Sequence, residues 1–201
     1  MMNPIIDPDF LLEQGATIKR VGKDEVIFRE GTHCCFYYQL LEGTVRWVNI
    51  NEEGKEYLQS LVVGGEPFGD IPLFDDGTYA ATAIAHTDAS ILRLNKNAFL
   101  ELMQKHPEVH MRFTRHFAES LRFKFMVLKE IASYGPEHCI STLINYFKSR
   151  SKFTSENGSR LTLTRQQIAD MTGMRVETVI RAIRNLHQQG KLNIERGKVY
   201  C

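Results

Sequence analysis

Cysteine is scarce in this sequence of 201 residues, and the pattern of the four that are present excludes several kinds of site. None stands in a Cys-x-x-Cys pair, the spacing used by zinc ribbons and thioredoxin-like redox motifs. Cys34 and Cys35 are adjacent and poorly placed to bridge each other, while Cys139 and Cys201 are isolated. We therefore expect reduced thiols, no disulfide framework and a cytoplasmic location.

Long apolar runs are also missing. No stretch of 18 or more apolar residues occurs, so no membrane span is predicted. The opening segment MMNPIIDPDFLLEQG lacks a basic region followed by an apolar one, so no secretory signal is predicted.

Catalytic motifs are missing as well. No phosphate-cradling P-loop and no Ser/His/Asp constellation is visible in the sequence, which argues against an enzyme. With 43% apolar residues the chain can bury a core in one or two domains.

Negative charge is nearly absent from the last quarter of the sequence. Residues 160–201 carry 8 Lys and Arg against 3 Asp and Glu, whereas residues 1–100 carry 8 against 15. The formal net charge of the whole chain is only +1. This distribution predicts that the C-terminal region meets a polyanion and that the N-terminal half does not.

The region from Ala16 to Leu94 is rich in short β runs. Segments such as CFYYQLLEGTVRWVNI and ATAIAHTDASILRL are separated by glycine-containing turn signals. Recurrent turns at this interval predict an antiparallel sandwich or a jelly-roll barrel (a double-stranded β-helix) over residues 1–106. Spacing alone leaves open a plain β-barrel without a ligand.

Glycine and proline are absent between Pro107 and about Ala132, which predicts about seven turns of helix. Apolar residues recur on it at three- or four-residue steps, in two neighbouring stripes. We expect residues 107–132 to pack on their own domain with one stripe and on a second copy with the other. A helix buried wholly within one domain is the alternative. The residues expected in the dimer contact are Phe113, Phe117, Leu121 and Leu128.

Gly135-Pro136 cannot continue the long helix, so a new domain is predicted over residues 133–201. Its pattern predicts a winged helix-turn-helix. Together with the β-rich first domain, this predicts an α+β fold class. Thr164 and Gln167 match a capping box, and Gly173 provides a tight turn. A second helix then runs from about Val176 to Gln189 and ends at Gly190. The tail KLNIERGKVY predicts a small β wing. An ordinary helix pair with solvated charges is the alternative.

The second helix carries an apolar stripe of Val179, Ile183 and Leu186 and a polar outer face. Arginine can donate two hydrogen bonds to guanine, and glutamate can accept one from cytosine. We therefore predict that this helix enters a major groove of double-stranded DNA, with flanking cations on phosphates. The predicted DNA-binding residues are Thr164, Arg165, Gln166, Arg175, Val176, Glu177, Thr178, Ile180, Arg181, Arg184, Arg196 and Lys198.

Two segments resemble the CRP/FNR family of bacterial transcription regulators. TRQQIADMTGMRVETVIRAIRNL is similar to the helix-turn-helix of that family, and PFGDIPLFDDGTYAATAIA (67–85) resembles its phosphate-binding cassette. The resemblance implies a homodimer that binds a palindromic operator, responds to a small-molecule effector in the barrel and works with RNA polymerase. Half-sites of TGTGA or TTGAT type are implied. The resemblance implies an effector pocket at Phe68, Gly69, Asp70, Ile71, Leu73, Ala80, Ala81, Lys124 and Phe125.

The cassette departs from the cyclic-AMP-binding pattern at two positions. Where cyclic-AMP-binding members place an arginine followed by serine or threonine, this sequence has Ala80 and Ala81. A cyclic phosphate would lose a charge-assisted bidentate contact there. Lys124 and Phe125 on the long helix also depart from the pattern, although Lys124 can still pair with an anion. We therefore expect an effector other than cyclic AMP.

Cofactor chemistry has little support in the sequence, and neither a cofactor nor a metal is expected. Iron–sulfur members of the family hold their cluster with an N-terminal cysteine cluster, and none precedes Cys34. Haem binding remains an alternative, because several histidines are present that could bind the iron. One of them, His106, precedes Pro107 and should therefore lie outside the long helix. We interpret Cys34 and Cys35 as buried strand residues, with a thiol sensor as the alternative.

A cupin-like module that binds a small molecule or metal is the alternative function, with its helix-turn-helix structural or protein-binding. Cupin metal sites need several histidines that converge inside the barrel. Only His33 and His86 lie in the strand region, in separate segments.

The helix-turn-helix also departs from the family pattern at Arg175, which replaces the Ser or Thr expected before the second helix. The loss of this N-cap should cost about 1 kcal/mol of stability. Ile180 replaces a small residue and can contact a thymine methyl.

Overall fold

The computed structural model describes residues 4–150, 152–155 and 160–200. Cys201 lies outside the described residues, as does part of the polar loop before the helix-turn-helix. The chain divides into two compact units, residues 1–118 and 119–201. The division falls inside the long helix that the sequence predicts after Pro107.

The elements of the first unit are α1 (Pro8–Glu13), β1 (Thr17–Val21), β2 (Val26–Phe28), β3 (Phe36–Glu42), β4 (Val45–Ile50), β5 (Glu56–Val62), β6 (Pro67–Phe68), α2 (Pro72–Asp75), β7 (Thr82–Ala85), β8 (Ala89–Asn95) and α3 (Lys96–Lys105). The long helix α4 (Pro107–Ser133) begins in this unit and ends in the second. The second unit continues with α5 (Pro136–Ser149), α6 (Arg165–Thr172), α7 (Val176–Gln188), β9 (Asn193–Glu195) and β10 (Lys198–Tyr200).

Two four-stranded antiparallel sheets form the first unit, which confirms the predicted jelly-roll. Their strand orders are β1-β8-β3-β6 and β2-β7-β4-β5. Strand β3 pairs along β8 from Phe36 opposite Asn95, and β4 pairs along β5 from Val45 opposite Val62. Because the sequential neighbours β3 and β4 fall in different sheets, the chain crosses between the layers, as a jelly-roll requires.

Among the described residues, the core of this unit includes two hydrophobic clusters. One lies under the helices, where the Tyr37 ring stacks on Phe99 at 4.7 Å and meets Phe113 edge-on at 5.8 Å. Gln39, fully buried, accepts from the Tyr37 hydroxyl and donates to the Ile6 carbonyl, so its amide is satisfied. The other cluster is aromatic and belongs to the cassette described below.

The apolar residues predicted for the dimer contact on α4 differ in burial. Phe113 is fully buried in the core of the first unit, and Phe117 packs beside it against Phe74 at 5.0 Å. The prediction that Phe113 lies in a dimer contact is therefore wrong, because its side chain has no surface left to offer. Leu121 and Leu128, by contrast, are 54% and 65% exposed.

The second unit is helical with a terminal hairpin. Helix α5 packs on α4 through Phe123, whose ring lies 5.7 Å from Phe147 and 4.7 Å from Tyr146. Strands β9 and β10 pair antiparallel across the turn at Arg196 and form the predicted wing. The observed helices and wing confirm the predicted winged helix-turn-helix.

Cys34, Cys35 and His106 all lie outside the regular strands and helices. The interpretation of Cys34 and Cys35 as buried strand residues is wrong, because both precede β3 and Cys35 is exposed. His106 ends α3 and lies outside α4, as expected. Within the described residues, no cluster of three or more potential metal ligands occurs and no helix is long and apolar enough to span a bilayer.

Candidate nucleic-acid interface

The first helix of the motif starts at a complete capping box. The Thr164 side chain accepts from the Gln167 backbone N–H at 3.1 Å, and the Gln167 side chain accepts from the Thr164 N–H at 2.8 Å. At its other end Gly173 adopts a left-handed φ of 70°. Only glycine takes that conformation without strain, so the sequence places the turn to α7 at this residue.

Helix α7 begins at Val176 without a side-chain cap. Arg175 occupies the cap position in an extended conformation and makes no capping hydrogen bond, as its residue type predicts. Glu177 in the first turn interacts favourably with the helix dipole and offsets part of that loss. The uncapped amides and the exposed Arg175 guanidinium leave the start of α7 suited to a phosphate oxygen.

Helix α7 is strongly two-faced. Val179, Ile183 and Leu186 are at most 1% exposed and pack into the second unit. Glu177, Arg181 and Arg184 are exposed, and they recur at steps of four and three residues. Since residues three and four apart share one face of a helix, these three side chains form a single outward row. Val176, Thr178 and Ile180 are half-buried beside that row.

The flanking predicted residues lie on α6 and on the wing. Gln166 is exposed and donates to Asp170 at 2.7 Å, while Arg165 is half-buried. Arg196 in the wing turn and Lys198 at the start of β10 are exposed. The wing is tied to its own unit by a backbone bond from the Leu161 N–H to the Val199 carbonyl at 2.9 Å. All predicted DNA-binding residues thus fall in the second unit.

One contact that holds α7 in place was not predicted from the sequence. The Asn185 side-chain amide donates to the Glu137 carboxylate in the first turn of α5. Asn185 directly follows Arg184, so this bond ties α7 to α5 beside the outward row. A polar residue at the edge of an amphipathic helix gives no local signal that separates such a bond from simple hydration.

The predicted effector cassette surrounds a stack of aromatic rings. Phe28 and Tyr79 stack with their ring centroids 3.8 Å apart, and Tyr79 is 3% exposed. Gly69 lies directly against this stack with a φ of 64°, and a Cβ there would meet the Phe28 ring at 2.3 Å. Phe68 and Tyr38 complete the cluster. Aromatic side chains of the barrel therefore pack directly against the cassette.

The remaining cassette residues differ in exposure. Phe68, Leu73 and Ala81 are buried, whereas Ile71 and Ala80 are exposed. Ala80 and Ala81 offer their backbone carbonyls to Asn49 and Trp47 of β4. Their methyl side chains provide no donor for an anion.

The other two predicted pocket residues, Lys124 and Phe125, belong to the second unit. Phe125 is 62% exposed. Burial lowers the pKa of the Lys124 ammonium.

Asp70 is the buried carboxylate of the cassette. It is 3% exposed, and its Oδ2 atom lies 3.6 Å from Nε2 of His116 on α4. Burial raises the pKa of Asp70, and the nearby His116 partly opposes that rise. The pair couples the cassette to the first half of the long helix.

Family comparisons agree with this geometry. The cyclic nucleotide-binding domain profile matches residues 18–106, and the Crp-like helix-turn-helix domain profile matches residues 138–200. The chain is 28% identical over 190 residues to the cAMP-activated global transcriptional regulator CRP of Pasteurella multocida, covering 92% of this chain and 90% of that one. It is 27% identical over 169 residues to the CRP of Haemophilus influenzae, covering 83% and 75%.

Solved structures show the same fold. FixK2 from Bradyrhizobium japonicum superposes with a TM-score of 0.76 at 23% identity, covering 92% of this chain and 91% of that one. The c-di-GMP responsive global regulator CLP from Xanthomonas campestris gives a TM-score of 0.75 at 17% identity, covering 96% and 98%. With its cyclic nucleotide-binding-type barrel, long helix and Crp-like helix-turn-helix, the chain belongs to the CRP/FNR family of DNA-binding transcription regulators.

Proposed function

We propose that this regulator acts as a homodimer that reads a palindromic operator in the cytoplasm and works with RNA polymerase. The observation that carries the proposal is the two-faced helix α7, with Val179 and Ile183 buried and Glu177, Arg181 and Arg184 in one exposed row. A charged row on a helix anchored by its apolar face is the arrangement that major-groove reading needs. Half-sites one helical turn apart, about 34 Å, would match a two-fold dimer.

The exposed part of α4 supports the dimer. Leu121, Phe125 and Leu128 are 54%, 62% and 65% exposed and recur at steps of four and three residues. They form one apolar stripe, about two turns long, which water would otherwise cover. A second copy of the same helix is the occupant that we propose, because an identical stripe packs by knobs-into-holes contacts. Phe117, half-buried at the N-terminal end of this stripe, remains a proposed contact.

Base preference follows from the side chains in the outward row. Arg181 is suited to the O6 and N7 atoms of a guanine, and Glu177 is suited to the N4 amino group of a cytosine. Val176 and Ile180, one turn apart and half-buried, offer apolar contact to thymine methyls. Thr164, Arg165, Gln166, Arg175, Arg184, Arg196 and Lys198 would hold the phosphates and adjacent bases.

The effector that we propose is a small molecule other than cyclic AMP, although the two CRP relatives above are named as cAMP-activated. Two observations support this. Ala80 and Ala81 supply no guanidinium or hydroxyl for a phosphate. The stacked rings of Phe28 and Tyr79 pack directly against the cassette. An anion at the cassette would therefore find no guanidinium or hydroxyl at these two positions, and it would have to displace packed aromatic side chains.

Salt dependence tests the DNA-binding proposal against the cupin-like alternative. Purified protein is titrated onto short duplexes of mixed sequence at 50 mM and 200 mM salt, and its metal content is measured in parallel. A DNA reader that neutralises several phosphates should lose affinity by orders of magnitude across this range. Stoichiometric metal together with no duplex binding would overturn the proposal.

A further inference from the structure

A buried carboxylate lies at the end of the long helix, in the second unit. Glu130 is only 6% exposed, although it is charged and stands one turn before the break at Gly135 and Pro136. Burying a carboxylate is unfavourable unless its charge and lone pairs are matched by partners. The identity of those partners therefore shows what this side chain is used for.

The partners of Glu130 lie mainly on the next helix. Its Oε2 atom is 3.0 Å from Nε2 of His138 and accepts from the Thr142 hydroxyl at 3.3 Å. His138 and Thr142 are one turn apart on α5, so both contacts cross the break. The ring of Tyr134, within the break, stacks on His138 at 4.2 Å. Lys129 adds a weaker ion pair at 3.9 Å.

The residue before His138 faces the recognition helix. Glu137 accepts the hydrogen bond from Asn185 of α7, and Asn185 is one turn beyond Arg181. Adjacent residues on a helix point about 100° apart, so neighbouring side chains of α5 can hold two different helices at once. The first turn of α5 thus contacts both the end of α4, through His138, and Asn185 of α7, through Glu137.

We propose that Glu130, His138, Glu137 and Asn185 form a joint that fixes the direction of the recognition helix relative to the dimerisation helix. Glu130 and Asn185 are then positioning residues for sequence-specific DNA binding. This inference rests on the proposed function, since two recognition helices must be held at one spacing to read a palindrome. Nonspecific binding needs only positive charge near phosphates and does not depend on the joint.

The second unit contains a matched control for the joint. Glu119 of α4 and Arg150, the C-cap residue of α5, form an ion pair at 2.9 Å that also joins these two helices. Their side chains are 48% and 43% exposed, so water replaces the interaction readily. Loss of the Glu119 carboxylate should leave DNA binding unchanged.

The test compares Glu130→Ala, Glu130→Gln, Asn185→Ala and Glu119→Ala. Each variant is titrated onto the palindromic duplex that the wild-type protein selects from random DNA, and onto a scrambled duplex. We expect Glu130→Ala and Asn185→Ala to weaken palindrome binding roughly tenfold, the size of one lost charge-assisted hydrogen bond, with scrambled-duplex binding unchanged. Glu130→Gln retains an acceptor oxygen and should recover most of the loss.

The double variant Glu130→Ala/Asn185→Ala should lose less than the product of the two single effects, because residues of one network are not independent. Thermal unfolding and oligomeric mass are recorded for every variant. If Glu130→Ala fails to fold, Glu130→Gln and Asn185→Ala carry the comparison.

The proposal is overturned by equal losses on palindrome and scrambled duplex, by an effect of Glu119→Ala as large as that of Glu130→Ala, or by no loss in Asn185→Ala. A wild-type protein that selects no sequence would instead contradict the proposed function itself.

Discussion

At the scale of single residues, the central assignment is that Arg181 reads a base. It is exposed in the same row as Glu177 and Arg184, on a helix whose opposite face is fully buried. Replacement of Arg181 by alanine should cost about 1–3 kcal/mol of operator binding and relax preference at one base pair. Competition with operators altered one base pair at a time measures both effects.

Lys198 provides the control for this prediction. It lies exposed on the wing, where we expect a phosphate contact rather than a base contact. Lys198→Ala should therefore weaken binding to all sequences alike. If Arg181→Ala leaves the preference at every position unchanged, α7 is not the reading helix.

A second residue-scale prediction concerns Asp70. Burial raises its pKa in the folded state, so the folded protein holds this proton more tightly than the unfolded chain does. The aspartate therefore costs stability as pH rises above its unfolded pKa of about 3.9 towards the folded value, and that cost remains at neutral pH. Asp70→Asn should raise the melting temperature at pH 7 and leave it nearly unchanged near pH 4.

The control for Asp70 is Asp76, an exposed carboxylate whose pKa is lowered by a hydrogen bond from Lys96. Asp76→Asn should show no gain in melting temperature at pH 7. A lower melting temperature for Asp70→Asn at pH 7 would mean that the His116 contact outweighs the cost of burial.

Short-range signals explain which residues were predictable. Thr164, Gln167 and Gly173 act through backbone groups within three residues of themselves, so sequence alone placed them correctly. The packing of Tyr79 on Phe28 joins residues that are distant in the chain, and no local pattern reports it. The same holds for the bond between Asn185 and Glu137.

At the scale of elements, the long helix α4 carries the dimer prediction. Leu121→Glu places a charge in the exposed apolar stripe, where a second copy would bury it without a partner. We expect this variant to shift the protein from dimer to monomer and to lose palindrome binding while it stays folded. Analytical ultracentrifugation over a range of concentrations measures the shift.

Ser120→Glu is the matched control, since Ser120 is exposed and its side chain points about 100° away from that of Leu121. It should remain dimeric. An unchanged dimer in Leu121→Glu would place the interface elsewhere on the molecule.

The apolar pattern of α4 did not predict which of its residues are buried within the first unit. Periodicity joined Phe113 and Leu121 in one stripe, and both are indeed apolar residues of α4. It could not separate them, because the neighbour that covers each side chain is set by tertiary packing. Phe113 is covered by the first unit, whereas Leu121 is exposed. Helix α7 was easier, since its ends are marked by local residues and its observed bounds, Val176–Gln188, differ from the predicted ones by one residue.

At the scale of the whole molecule, charge and architecture agree. The barrel strands lie in the acidic N-terminal region, and the helix-turn-helix and its wing lie in the basic C-terminal region. Composition therefore indicated which domain meets nucleic acid before any motif was considered. The aromatic cluster beside the cassette was not predictable at this scale, because composition does not show where aromatic side chains meet.

The decisive experiment for DNA reading by α7 is sequence selection from random DNA by the purified protein. The selection is run with and without a cell extract. If a small molecule is required, a DNA sequence will be enriched only when the extract is present. We expect a palindrome that contains a G·C pair in each half-site, with half-sites about one helical turn apart. Enrichment of no sequence under either condition, or of a single site without symmetry, would contradict this expectation.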